Sequence, residues 1–383
     1  MMMKRLAIFF TILLFFTSCN KEKISFKNIY SLTLVDTVEF PLDSLSKADF
    51  SQFLDGNNER SIYMLNRFQN AIYKYNYNTL ALDSILSFRK SGNANFGTID
   101  AFLVKNSDSI YLYNSNKPII YLTNRKGEFL KKYEFFQADD VHLTPEIDNQ
   151  NKAFFNDGKL YFTHRGLRKA YKKNVSFPNT TVSSLNLDDG SFDFELPFPD
   201  VYKNKVWGLQ FYNLTSTFNP KNKTRVYSYM INENILTIDS LGNIKTYYAG
   251  SEHFDKTNPI SEKELDFMEV RQEVNIMYSS SYFYNIYYDQ FNDMYFRFAF
   301  LPIYQYTEAK NLMLSELVRE KRFSVVILNK DFVKQGEYIL PNLSYDINNV
   351  FFTENGMHIL NKNSEEDIMK YDIYNLNKNK NED

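Results

Sequence analysis

The strongest constraint on what this chain can fold into is an ungapped internal repeat. The segment SIYMLNRFQNAIYKYN at 61–76 returns as SIYLYNSNKPIIYLTN at 109–124. Ser61, Ile62, Tyr63, Asn66, Ile72, Tyr73 and Asn76 recur as Ser109, Ile110, Tyr111, Asn114, Ile120, Tyr121 and Asn124, each 48 positions later. Each copy reads as two short strands around a polar turn, followed by a third strand, ALDSILSF at 81–88 or EFLKKYEF at 128–135. Apolar residues alternate or run in short blocks bounded by Asn, Lys and Gly, the pattern of sheet strands.

Weaker copies continue to the end of the chain: 159–164 with 183–198, then 225–250, then 292–300 with 323–340, and 355–360 with 367–376. That makes six units. A three- or four-stranded sheet of this size cannot cover both of its own faces, but units stacked around an axis cover one another and leave only short edges. The expectation is an all-β chain forming a six-bladed β-propeller over 30–377, with short helical insertions. A β-sandwich with additional domains is the competing arrangement, and six units at similar spacing argue against it. YSLTLVDTVEF at 30–40 precedes the first full unit and is placed to supply the outer strand of the last blade, closing the ring.

Two stretches break the rhythm. SEKELDFMEVRQEVNIMY at 261–278 sets Phe267, Val270, Val274 and Met277 on one helical stripe, and TEAKNLMLSELVREKR at 307–322 is polar enough for an exposed helix between two strands of one blade. Both are expected over one face of the propeller. The tail at 378–383 reads as disordered.

The N-terminus carries a secretory signal over 1–18. Lys4 and Arg5 precede the apolar run LAIFFTILLFF, and Thr17 and Ser18 lead into Cys19. An apolar run of that length rises about 16 Å as a helix, roughly half of a ~30 Å hydrocarbon core. F-T-S-C at 16–19 resembles the lipobox of bacterial lipoproteins, in which the cysteine receives a diacylglycerol and becomes the mature N-terminus. Cys19 is the single cysteine of the 383 residues, so no internal disulfide can form, and lipidation leaves no free thiol. Two acyl chains suffice for stable anchoring. The expected partner of Cys19 is therefore a membrane, through a polar tether at 19–29. The expected location is the cell envelope, at the outer membrane. Glu22 between Lys21 and Lys23 does not choose between the periplasmic and the surface face.

Composition narrows the chemistry. A net charge of −2, with 44 basic and 46 acidic residues spread along the chain, gives no footprint for nucleic acid. The chain is rich in aromatics, with 29 Tyr and 35 Phe against one Trp, which suits strands. No P-loop, G-x-S-x-G, H-E-x-x-H or EF-hand loop occurs. No catalytic set, metal site or cofactor is expected. Of His142, His164, His253 and His358, the second and fourth stand in strand-like runs. Asp188-Asp189-Gly190 reads as a hairpin turn rather than a calcium loop. The candidate ligand-binding residues are cations near apolar strands: Arg297 in MYFRFAF, and His164 with Arg165 after LYFT. A buried arginine has to be paired or bind an anion. The plainer alternatives for Arg297 are an exposed strand position or pairing with a neighbouring blade's carboxylate.

The chain resembles Bacteroidetes lipoproteins of the DUF4221 type and related six-bladed propeller lipoproteins. The resemblance rests on the lipobox, on SGNANFGTIDAFLVKNSDSIYLYN at 91–114, and on FSVVILNKDFVKQGEYILPN at 323–342 followed by FFTENGMHIL. In relatives the first of these opens on a Gly-Pro-Asn-Gly-like turn, replaced here by Asn93-Ala94-Asn95-Phe96-Gly97. The resemblance implies a propeller in the envelope and no particular activity. The function expected on these grounds is a non-catalytic envelope binding module, holding a protein, peptide or glycan on one propeller face with its tyrosines. The alternatives are a hydrolase or lyase with its site at the axis, and an accessory to outer-membrane nutrient uptake.

Overall fold

A computed structural model describes residues 28–379, apart from 43–49, 57–58, 89–95, 107, 136–144, 165–179, 204, 206, 208, 255–256, 262, 264–269, 303–321 and 342–343. The signal segment, Cys19, His142 and Arg165 lie outside the described residues.

The first described strand, β1 (Tyr30–Pro41), belongs to the last blade. Blade one is β2 (Phe50–Asp55), β3 (Arg60–Asn66), β4 (Ala71–Asn76) and β5 (Leu82–Ser87). Blade two is β6 (Ala101–Asn106), β7 (Ser109–Asn114), β8 (Ile119–Thr123) and β9 (Phe129–Glu134). In blade three, β10 (Pro145–Glu146) and β11 (Phe154–Asn156) both pair with β12 (Lys159–His164), followed by β13 (Thr180–Asn186) and β14 (Phe192–Pro197). Blade four is β15 (Leu214–Asn219), β16 (Thr224–Tyr229), β17 (Asn234–Ile238) and β18 (Ile244–Tyr248). Blade five is β19 (Tyr282–Asp289), β20 (Met294–Leu301), β21 (Arg322–Leu328) and β22 (Lys334–Ile339). Blade six is β23 (Tyr345–Thr353), β24 (Gly356–Asn361) and β25 (Ile368–Lys378), completed by β1. All pairings are antiparallel. The first strands of successive blades touch, β2 beside both β6 and β23, and β19 between β15 and β23, so they line one axis. This is the six-bladed propeller expected from the repeat, with blades at the expected places.

The repeated asparagines have a structural reason. Asn66 and Asn114 end the second strands of blades one and two, and their side chains accept turn amides, from Gln69 for Asn66 and from Asn116 and Lys117 for Asn114. Asn76 closes the next turn through the amides of Asn78 and Thr79. Such side-chain turns set the strand lengths, hence the period. Asp188-Asp189-Gly190 is the hairpin turn expected of it, with Gly190 at φ +79° and the Asp189 carboxylate accepting the Ser191 amide.

Most tyrosines are buried rather than displayed. Their rings fill the space between blades and their hydroxyls reach across to backbone carbonyls. Tyr75 donates to Pro41 at 2.7 Å, Tyr113 to Pro145 at 2.7 Å and Tyr133 to Leu187 at 2.9 Å. A ring with a polar tip suits an interface that is apolar in the middle and hydrogen-bonded at its margin.

The ring closes as expected. β1 pairs with β25 from Tyr30↔Lys378 to Pro41↔Ile368, with one bulge between Leu34 and Asp36. Phe40 is fully buried at this seam, edge-on to Tyr75 at 5.7 Å and Tyr371 at 6.1 Å. The final strand runs one residue past the expected boundary at 377. Lys378 still pairs with Tyr30, and Asn379 donates its amide to the Ile29 carbonyl and its side chain to that of Asn28.

Helix α1 (Val270–Tyr278) lies in the link between blades four and five. Val274 and Met277 of the expected stripe are half-buried against the core, while Asn275 and Tyr278 are buried more fully. Phe267 lies outside the described residues. So does the second expected helix, except for Arg322, which begins β21.

Candidate functional site

The blades meet around an axial cavity of about 420 Å³. It is lined by the later residues of the inner strands, including Phe53, Phe218, Tyr287 and Phe352, and by Pro220 and Gln290 in the turns that follow β15 and β19. Below it, three inner strands leave regular pairing. Blade three interrupts its inner strand between Glu146 and Phe154. Blade five shifts register between Phe283 and Ile286, and blade six between Asp346 and Val350. Bulges of this kind re-aim side chains and polar backbone at functional places.

The displaced residues interlock. The Asn285 amide nitrogen donates to the Ile347 carbonyl at 3.0 Å and lies 3.0 Å from Asn348 Oδ1, and Tyr287 donates its hydroxyl to Ile347 at 2.7 Å. Asn349 donates to Asp346 at 3.0 Å and accepts from the Ser51 hydroxyl at 2.8 Å. The Ser51 amide in turn donates to Asn149 at 3.1 Å. Gln52 brackets Val104 of blade two, accepting its amide at 2.7 Å and donating to its carbonyl at 2.9 Å. A polar belt thus joins five blades beneath aromatic walls.

Two groups project from the interrupted strand of blade three. The Asp148 carboxylate accepts the amides of Gln150 and Asn151 and holds the loop in a turn. This turn delivers Gln150 and Lys152 to the cavity. The Lys152 amino group lies 5.9 Å from the centre of the Tyr287 ring. The Lys152 side chain is half-buried in the cavity lining. Desolvation pushes its pKa down to about 8, with the Asp346 carboxylate pulling the other way. Asp346 is also held by Asn349 and faces Lys362 at 3.7 Å. Burial holds the Tyr287 hydroxyl well above its ordinary range.

Of the residues singled out from the sequence, Arg297 and His164 do not line the cavity, and Arg165 lies outside the described residues. Arg297 in β20 is completely buried, neither exposed nor paired with a carboxylate. All five of its N–H donors are used inside the protein. Nε bonds Ser228 Oγ at 2.9 Å, Nη1 the carbonyls of Glu233 and Ala249, and Nη2 those of Tyr229 and Asn232. Its guanidinium carbon stacks 3.4 Å from the centre of the Phe283 ring. Burial lowers its pKa, yet an arginine starts so high that it stays charged. Arg297 is an interior staple from blade five to the corner of blade four, with no donor left for a ligand.

His164 is buried in β12, with its ring nitrogens 2.9 Å from Ser183 Oγ and 2.7 Å from the Thr180 carbonyl. His358 is buried in β24, bonded to the Tyr77 hydroxyl and the Gly356 carbonyl and stacked on Phe351. Burial pushes both down to about 4, so both are neutral at physiological pH. His253 is exposed at a turn after β18. Among the described residues no three His, Cys, Asp or Glu side chains gather as a metal site. Lys152 escaped sequence reasoning because it sits in a run, IDNQNK, that reads as an ordinary loop. The available signal was the polar run itself, placed where the third unit needs an inner strand.

Six antiparallel blades, five of four strands and one of five, around an aromatic-walled channel define a β-propeller with an axial cavity. The chain belongs to the DUF4221 family, a domain of unknown function whose model matches residues 24–339. It is similar in structure to a member of that family from Bacteroides vulgatus, with a TM-score of 0.79 and 18% identity, covering 92% of this chain and 100% of the other. A protein of Bacteroides fragilis designated as exported aligns with a TM-score of 0.54 and 11% identity over 94% and 98% of the two chains. Virginiamycin B lyase from Staphylococcus aureus aligns at a TM-score of 0.44 and 12% identity, over 90% and 99%. No curated protein matches the sequence. Among the described residues no helix is long and apolar enough to cross a membrane.

Proposed function

We propose that this protein is a lipid-anchored envelope binding module, tethered through Cys19, that takes its ligand in the axial cavity. The observation that carries this reading is the cavity itself. Apolar aromatic walls with a few convergent polar groups, here the side-chain amides of Gln150 and Gln290 and the Lys152 amine, are the makeup of a small-molecule site. The burial of most tyrosines moves the reading from a propeller face to the channel. A hydrolase using histidine would need a ring nitrogen free to take a proton, and His164 and His358 have both nitrogens engaged inside the protein. The lipobox at 16–19 and the exported structural relative support the envelope location.

The test is native mass spectrometry of the protein purified from its own envelope, beside Ser216→Trp. Ser216 lines the cavity, and the indole fills part of it. A co-purifying small molecule absent from Ser216→Trp is the expected result. A folded variant that retains every adduct of the native protein refutes channel binding. Cys19→Ser is expected to abolish labelling by an alkynyl fatty acid and to release the protein from the membrane fraction. Persistent labelling refutes the anchor.

A further inference from the structure

We infer that the axial cavity selects a small ring-bearing carboxylate, with Lys152 as the group that receives the anion; this deepens the channel-binding reading and rests on it. Three observations converge. Among the described residues lining the cavity, Lys152 is the one charged side chain, and no Asp or Glu joins it. Its amino group makes no hydrogen bond or ion pair with the described residues, its neighbour being the Tyr287 ring. The adjacent Gln150 Nε2, itself shielded from solvent, is a second donor without an acceptor among the described residues. Two donors on one short loop, without acceptors among the described residues and in a cavity lined by no carboxylate, call for an acceptor with two oxygens.

The walls specify the rest of the ligand. Phe53, Phe154, Phe218, Phe351 and Phe352 give flat faces on which a planar ring or the apolar face of a sugar can stack. The carboxylate whose charge acts on the amine, Asp346, makes no ion pair with it and is shared with Asn349 and Lys362. Desolvation of Lys152 gives the reason for a charged ligand: a partly desolvated amine that forms no ion pair with the described residues is unfavourable, and a bound carboxylate relieves that cost. The other titratable groups around it are Tyr284 and Tyr287 of β19, Asp346 of β23, and Asp148 on its own loop. Burial holds Tyr284 up at about 12 and Tyr287 well above its ordinary range, so neither changes charge between pH 7 and 9.

Calorimetry on the mature, detergent-solubilised protein tests this with two matched pairs, phenylacetate against phenylacetamide and glucuronate against glucose. The pairs distinguish an aromatic acid from a sugar acid. At least one acid is expected to bind tenfold or more tightly than its neutral twin. Its affinity is expected to fall about tenfold from pH 7 to pH 9, as an amine with a pKa near 8 loses its proton. Lys152→Met is expected to remove the acid preference and the pH dependence, while the neutral twin binds as before. Equal binding of acid and twin, or a preference that survives in Lys152→Met, overturns the carboxylate and leaves the cavity standing as a binding site. Failure of both acids to bind overturns the proposal, and the Ser216→Trp comparison decides separately whether the channel holds a ligand at all.

Discussion

Replacing Arg297 with methionine removes a cation of which every donor is in use and keeps a side chain of similar length. The loss falls on a defined set of acceptors. The carbonyls of Tyr229, Asn232, Glu233 and Ala249 and the hydroxyl of Ser228 lose their partner together. An orphaned buried acceptor costs about 1–3 kcal/mol, and water entering the vacated space recovers part of that. Relief of the desolvated charge offsets a further part. The net expectation is a destabilisation of about 3–5 kcal/mol for Arg297→Met. Arg297→Lys keeps the charge but offers three donors in place of five, and about half that loss is expected. The assay is urea unfolding followed by tryptophan fluorescence. Trp207 is buried in the same core cluster as Tyr229, so it reports on the stapled corner. Both variants should lose stability while binding in the axial cavity is unchanged at temperatures where they are folded. An Arg297→Met protein within about 1 kcal/mol of native would refute the cage as a stabilising device. Lost ligand binding with native stability would return Arg297 to the site.

Other perturbations test other parts of the molecule. Because His164 and His358 have folded pKa values of about 4 against an ordinary value of 6.5, the unfolded chain binds their protons first. Their contribution is therefore complete above about pH 6.5 and is lost as pH falls toward 4, by up to ~3 kcal/mol for each. Equilibrium unfolding in pH steps, compared with His358→Phe, should show a shallower acid limb in the variant; parallel limbs would contradict the neutral buried imidazole. Lys152→Met should raise stability at pH 7 by about 1–3 kcal/mol, since an amine held near 8 opposes folding while it is charged, and the gain should vanish toward pH 10. Phe40→Ala, at the seam closed by β1, should cost about 3–5 kcal/mol and hasten proteolysis of the N-terminal strand; an unchanged cleavage rate would show that the seam is not the weak point. Gly356→Ala forces a side chain into φ +122° and against the Tyr374 carbonyl, and its urea midpoint should fall well below that of the native protein.

The blade pattern was readable from the chain because it is written in contiguous residues. Asn66 and Asn114 show why: their turn-closing bonds go to amides two or three residues away, so the chemistry that sets the period is local. Closure by β1 was readable too, since an unpaired strand before the first unit has one vacant edge to fill. The tyrosines misled, because a Tyr in an alternating strand reads the same whether its ring faces solvent or the neighbouring blade. Tyr113 and Tyr133 are committed to the next blade by partners 32 and 54 residues away.

The site was decided by distances that sequence does not encode. Arg297 and Lys152 are both cations close to apolar residues, and in the sequence Arg297 is the more conspicuous. Only the folded ring brings five acceptors to Arg297, four of them from a single turn and strand end of blade four. Only the folded ring leaves Lys152 on the axis without one among the described residues. Burial alone does not mark a functional charge; whether its donors are met does, and that is a property of the assembled blades. The sequence by itself determined the repeat and the seam, because local hydrogen bonding and short-range hydrophobic pattern specify them. Tertiary structure alone decided which polar groups converge on the axis, because the bulges of β19 and β23 and the interrupted strand of blade three meet only when six blades close into a ring.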